Sequence, residues 1–149
     1  MKIIGLGNHL RGDDSIGLRI IEELRRKNLP PSVKLIEAGA DAFLVLQHLM
    51  EKEPVLIIDC ALMGKEPGTV VKFNADEFIL KKKLDNISLH EFSLAEVYTM
   101  AKKMGPAAPC SIIGIQPSSV EFNTPLSDEV KNNIPLILAA VEEETIKCP

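Results

Sequence analysis

Cysteine is scarce in this chain. Cys60, Cys110 and Cys148 are the three among 149 residues. An odd number at wide spacing excludes a disulfide framework and a C-x-x-C metal knuckle, and fits a reducing cytoplasm. A basic block is also missing: 17 Lys and Arg against 21 Asp and Glu leave a net charge of −4. Nucleic acid is therefore not expected as a partner, and Lys81-Lys82-Lys83 reads as a solvated surface. Long apolar runs are absent. Stretches such as Val55-Leu-Ile-Ile58 fall far short of the ~20 residues of a membrane helix. The opening M-K-I-I-G-L-G-N is broken by Gly5 and Gly7, then by His9 and Arg11, so it lacks a signal-peptide core. Neither repeats nor low-complexity tracts occur. A soluble cytoplasmic protein with no membrane partner is expected.

What is present is globular. Apolar residues make up 46% and charged residues 26%. A chain near ~150 residues can bury ~68–70% of its unfolded surface without a metal or disulfide staple, so one domain is expected over residues 1–149. Lys2 to Leu6 reads as a buried strand. Ser15 to Arg26 reads as a helix with Ile16, Ile20 and Leu24 inward, and Val33 to Ala38 as a second strand. Asp41 is the expected N-cap of a helix running to Met50. V-L-I-I-D over 55–59 has the pattern of a central strand covered on both faces.

Only about seven residues separate that strand from Thr69–Phe73, too few for a parallel crossover. The spacing predicts an antiparallel neighbour or an edge strand. Ser93 to Met104 reads as a helix and Ser111 to Ile115 as a strand. Asp128 to Lys147 is mostly helical, with Pro135 breaking, kinking or restarting it. The sum is an α/β three-layer sandwich: a mainly parallel, twisted sheet of about five strands with helices on both faces.

Ligands of open parallel sheets sit beyond the carboxyl ends of the strands. Three loops there carry acid–base or metal-ligating groups: G-L-G-N-H-L-R-G-D-D after the first strand, Asp59 closing V-L-I-I-D, and His90 in I-S-L-H-E. Asp13 and Asp14 have an ordinary reading as helix-capping charges. Asp59 can cap a turn, and a lone histidine is commonly a surface group. Their joint placement at one sheet edge favours a site. Two carboxylates and an imidazole suit nickel, zinc, manganese or iron with positions left open; a metal-free acid–base set uses the same residues. A dinucleotide site fits poorly, because the third fingerprint glycine is replaced by Leu10. Cys60 reads as a small buried hydrophobe facing away from Asp59.

These pieces together resemble the nickel–iron hydrogenase maturation endopeptidases. The matching segments are G-L-G-N-x-L-x-G-D-D-x-I-G at 5–17, I-I-D at 57–59 followed by M-G-x-x-P-G at 63–68, S-x-H at 88–90, and G-I-Q-P at 114–117. They follow the family's order near its spacing, with a looser fit after residue 120. The resemblance implies a protease that removes the C-terminal extension of a hydrogenase large-subunit precursor once nickel is inserted. It implies an α/β sheet flanked by helices. It also implies Asp14, Asp59 and His90 as the catalytic and metal-contacting trio, with nickel supplied by the substrate and no organic cofactor. Apart from the resemblance, Asp13 and Asp14 are the two candidate general bases towards a bound water, and metallo- and aspartyl-type catalysis both stay open. Cys60 stands where the family usually has alanine, and the segment from Phe73 to Ser88 is assigned to specificity for the cognate hydrogenase. A hydrolase with its own permanent zinc, or a non-catalytic hydrogenase-subunit chaperone, are the alternatives.

Overall fold

The computed structural model describes residues 1–85, 88–89 and 94–147, side chains of 81–85 and 88–89 excepted. Five strands lie in the order β2-β1-β3-β6-β4. They are β1 (Lys2–Leu6), β2 (Lys34–Gly39), β3 (Val55–Leu62), β4 (Val70–Asn74) and β6 (Cys110–Ile115). β1 runs parallel to β2 and β3, and β3 parallel to β6. β4 is antiparallel to β6 at the sheet edge, as its short connection to β3 requires. A two-residue strand, β5 (Ser88–Leu89), pairs antiparallel with the far end of β3.

Side-chain alternation splits the sheet's apolar residues between two cores. Ile4, Ile57 and Ile112 meet α2 (Ala42–Met50), α3 (Ala75–Asp85) and α4 (Leu94–Met104) through Val45, Leu49, Phe78, Leu94 and Tyr98. Ile3, Leu56, Ile58 and Ile113 meet α1 (Ile16–Arg25), α5 (Asp128–Asn132) and α6 (Ile134–Lys147) through Ile16, Ile20, Leu24, Val130, Ile137 and Val141. Each such side chain contributes about 1.5–3 kcal/mol on burial. Helices thus cover both faces, and the α/β sandwich expected from the sequence is the fold observed.

Three local expectations are refined. A 3-10 turn, Gly12–Ser15, holds Asp13 and Asp14, and α1 starts at Ile16 where the sequence placed its start at Ser15. β3 continues past Asp59 to Leu62. Pro135 restarts the chain as the second residue of α6, where its missing N–H costs little. The helix α3 was not foreseen. Its start is a capping box: Asn74 Oδ1 accepts from Glu77 N at 2.7 Å, and Glu77 Oε2 accepts from Asn74 N at 3.2 Å. The expected cap of α2 is present, Asp41 accepting from Leu44 N at 3.0 Å.

Candidate active site

From β1 the chain leaves through α1 towards β2 on one side. From β3 it passes to β4, which lies on the other side of β3, beyond β6. The gap between β1 and β3 is the sheet's switch point, where open α/β sheets take their ligands. Asp14 follows β1 and Asp59 lies in β3, opposite Gly114 of β6. Both are buried, with Asp14 8% exposed and Asp59 0%.

Two glycines bring the acid-bearing turn onto the sheet. A Cβ on Gly17 would lie 2.3 Å from the carbonyl oxygens of both Leu6 and Ile58. The start of α1 therefore rests directly on β1 and β3, one residue from Asp59 and three residues after Asp14. Gly7 sits at φ +130°, and a Cβ there would lie 1.9 Å from the Asp14 carbonyl oxygen. Only glycine takes that conformation without strain. Asn8 N then donates to Asp14 O at 3.3 Å, closing the turn around the acid.

Electrostatics report the same convergence. Burial pushes the Cys60 thiol well above its ordinary value, and the charges of Asp59, Asp14 and Asp13 push it further. Three carboxylates are thus felt at one buried sulfur. A thiol held protonated in this way is a poor nucleophile, and Cys60 packs in the α1-side core as expected. Cys110 is similar, its thiol pushed by burial up to about 12. The Asp59 Oδ1 accepts from Cys60 N at 2.8 Å, which orients the carboxylate at the sheet edge.

Asp13 is held differently from its neighbour. Its Oδ1 accepts from Ser127 N at 2.7 Å. Its Oδ2 accepts from Ser118 N at 2.8 Å, Ser119 N at 3.3 Å and Ser127 Oγ at 2.8 Å. A carboxylate filled by four donors is a clasp, tying the turn after β1 to the loop after β6. Gln116 is a second clasp that sequence reasoning missed. Its Oε1 accepts from Met63 N at 2.7 Å and Lys65 N at 3.3 Å, fixing the loop after β3. The G-I-Q-P segment marks Gln116 in the sequence, but its partners lie 53 and 51 positions away.

The assignment of His90 lies outside the described residues. β5 pairs Leu89 with Ala61, two positions beyond Asp59 on β3. His9 is exposed and lines a groove of about 540 Å³ with Gly7, Leu10, Glu37 and Gly39, at the carboxyl ends of β1 and β2. His48 stands apart, 3.5 Å from Glu51 at the end of α2. Among the described residues no three His, Cys, Asp or Glu side chains form a metal-holding group. Chemically, Asp14 and Asp59 bring two carboxyl groups from two elements to one edge, donors suited to proton transfer or to a divalent cation.

The comparisons bear on that chemistry. The HycI family, described as hydrogenase maturation protease, matches residues 18–144. A Methanocaldococcus jannaschii protein provisionally named a hydrogenase maturation protease is 37% identical over 144 residues, covering 88% of this chain and 79% of the relative. The hydrogenase expression/formation protein HupD of Rhodobacter capsulatus is 28% identical, covering 95% and 69%. The [NiFe] hydrogenase maturation protease HybD of Thermococcus kodakarensis superposes with a TM-score of 0.76 at 28% identity, covering 97% of each chain. The maturating endopeptidase HybD of E. coli shares the fold, with a TM-score of 0.84 at 24% identity, covering 98% and 91%.

Proposed function

This chain belongs to the hydrogenase maturation protease family and is a peptidase, and from that premise we propose that it trims the C-terminal extension of a nickel-loaded [NiFe] hydrogenase large-subunit precursor. The observation that carries this reading is the pair of buried carboxylates, Asp14 and Asp59, at the switch point between β1 and β3. With His90 they would contact nickel that arrives with the precursor. Oxygen and nitrogen donors suit a borderline divalent ion, and a set of protein ligands with open positions leaves room for the client's own.

The nickel would mark the loaded client and draw the scissile bond to the acids. A metal-polarised carbonyl or water is a sufficient chemical route for cutting it. Asp14 is the carboxylate we assign as general base, because it keeps slight exposure while Asp59 has none and the oxygens of Asp13 are filled. The enzyme's own affinity for the ion is then weak, since a permanently filled site would cut loaded and empty clients alike.

The test is incubation of the purified chain with nickel-loaded and nickel-free precursor, followed by intact mass measurement. Loss of the C-terminal extension from the loaded form alone is expected. Equal cutting of both forms would overturn nickel recognition. Binding without any mass loss would point to a chaperone, and a stoichiometric zinc that survives dialysis to a resident-metal hydrolase.

A further inference from the structure

The chain leaves β3 through a loop, residues 63–68, that the chemistry above does not use. One residue closes it at both ends. The Gln116 side chain is buried, and its Oε1 accepts from Met63 N at 2.7 Å and Lys65 N at 3.3 Å. Its backbone takes the other end: Gly68 N donates to Gln116 O at 2.8 Å, and Gln116 N to Thr69 O at 2.9 Å. The two ends are not equally secured. Near Gly68, Asn133 Nδ2 donates to Gly68 O at 2.7 Å, and Thr69 N to Glu66 O at 3.1 Å. Among the described residues, Gln116 Oε1 is the one hydrogen-bond partner of the backbone of 63–65.

The start of the loop is the part that meets the acid-bearing face. Side chains alternate along β3: Ile57 and Ala61 enter one core, Ile58 and Cys60 the other. Asp59 therefore shares the face of Ile57 and Ala61. Gly114, its register partner on β6, opens onto that same face, where a Cβ would lie 2.9 Å from Ala61 Cβ and 3.6 Å from Met63 Sδ. The Met63 thioether thus folds back over Gly114, on the face to which Asp59 belongs. It is half-buried, so part of it stays open to solvent. A methionine side chain has three rotatable bonds and settles into whatever space it is given. Its place is set here from the backbone, at the N–H that Gln116 holds.

We propose that Gln116 is a positioning residue for the cut: by pinning Met63 it fixes an apolar wall beside Asp59, against which the substrate residue next to the scissile bond lies. The inference rests on the proposed function and deepens it, naming what keeps the substrate chain in line with the acids. A clasp that only steadies the loop leaves the rate alone. A wall that sets the reacting geometry controls it, since a displacement of about 1 Å can cost ~10²-fold.

The test is steady-state processing of nickel-loaded precursor by the full-length chain carrying Gln116→Met, Met63→Ala or both. Gln116→Met keeps the bulk of the side chain and removes the acceptor. Each single variant should lower kcat by about tenfold or more, with KM within about threefold of wild type. The double variant should be no slower than the slower single one, because both changes remove the same wall. Asn133→Ala, which releases only the Gly68 end, should lower the urea midpoint and leave kcat unchanged. A wild-type kcat in Met63→Ala, which removes no hydrogen bond, would overturn the proposal even where Gln116→Met fails to fold, and would leave the proposed function standing. Kinetic losses that multiply in the double variant would also overturn it, as would a kcat loss in Asn133→Ala equal to that in Gln116→Met, since loop stability alone then explains the rates. A rise in KM at constant kcat would reduce Met63 to a binding contact and sink the positioning role. If the wild-type chain itself cuts no loaded precursor, the proposed function fails first and the inference with it.

Discussion

Both edges of the sheet bury charge, and they do so in opposite ways. At the amino edge, Lys2 is buried in contact with Glu51 and lies 3.8 Å from Glu53, which Lys34 meets at 3.1 Å. Opposite signs alternate there, and Lys2 holds the Glu51 carboxyl below its usual range. At the carboxyl edge, three carboxylates, Asp13, Asp14 and Asp59, act on the Cys60 thiol, with Arg11 opposing them. Asp13 is satisfied by four donors. Charge that is neutralised by its neighbours holds a fold together. An edge where carboxylates outnumber their opposing cations concentrates titratable groups, and such places are where chemistry is found.

The largest effect that would sharpen this contrast is on activity. Asp14→Ala, Asp59→Ala and His90→Ala should each cut processing by a factor of about a thousand or more, read by intact mass. Normal processing by two of the three would break the contrast, because the carboxylate-rich edge would then be structural. Gly17→Ala comes next. A methyl group 2.3 Å from two carbonyl oxygens must lift α1 off β1 and β3, and about 3 kcal/mol or more should be lost in urea unfolding.

Asp13→Ala leaves the N–H groups of Ser118, Ser119 and Ser127 without their acceptor. It should cost about 2–4 kcal/mol and speed amide exchange across 118–127. The smallest effect is at the amino edge. Lys2→Met should cost about 1–2 kcal/mol, since its partners are partly exposed, and leave processing untouched. The Glu51 contribution has a definite sign. Its folded value is depressed below 4.5, so its stabilisation is present above that pH and is lost as pH falls through the folded value. In Lys2→Met the melting temperature should therefore fall less steeply below pH ~4.5.

Most of the framework was legible because its signals are local. The unbroken apolar run of Val55–Ile58 and the helical spacing of Ile16, Ile20 and Leu24 each declare one element. The few residues between β3 and β4 forced the antiparallel edge. The helix α3 escaped because its apolar face is weak, although Asn74 and Glu77 announce its start. Asp14 and Asp59 could be proposed because the ends of parallel strands are visible in sequence. The clasps could not, since Asp13 reaches partners 105 to 114 positions away. Position in a turn gave Asp13 and Asp14 the same reading, and only the returning loop separates a filled carboxylate from its neighbour.

One consequence of the strand order concerns synthesis. β4 precedes β6 in the chain yet has β6 as its ladder partner. It therefore leaves the ribosome as an orphan strand and waits through about 40 further residues, which at ~5–20 residues per second is a matter of seconds. The same late segment brings Gln116 and the donors for Asp13. Translation thus delivers the acids early and their restraints last, so a nascent chain carries the acids before it carries a finished cutting edge.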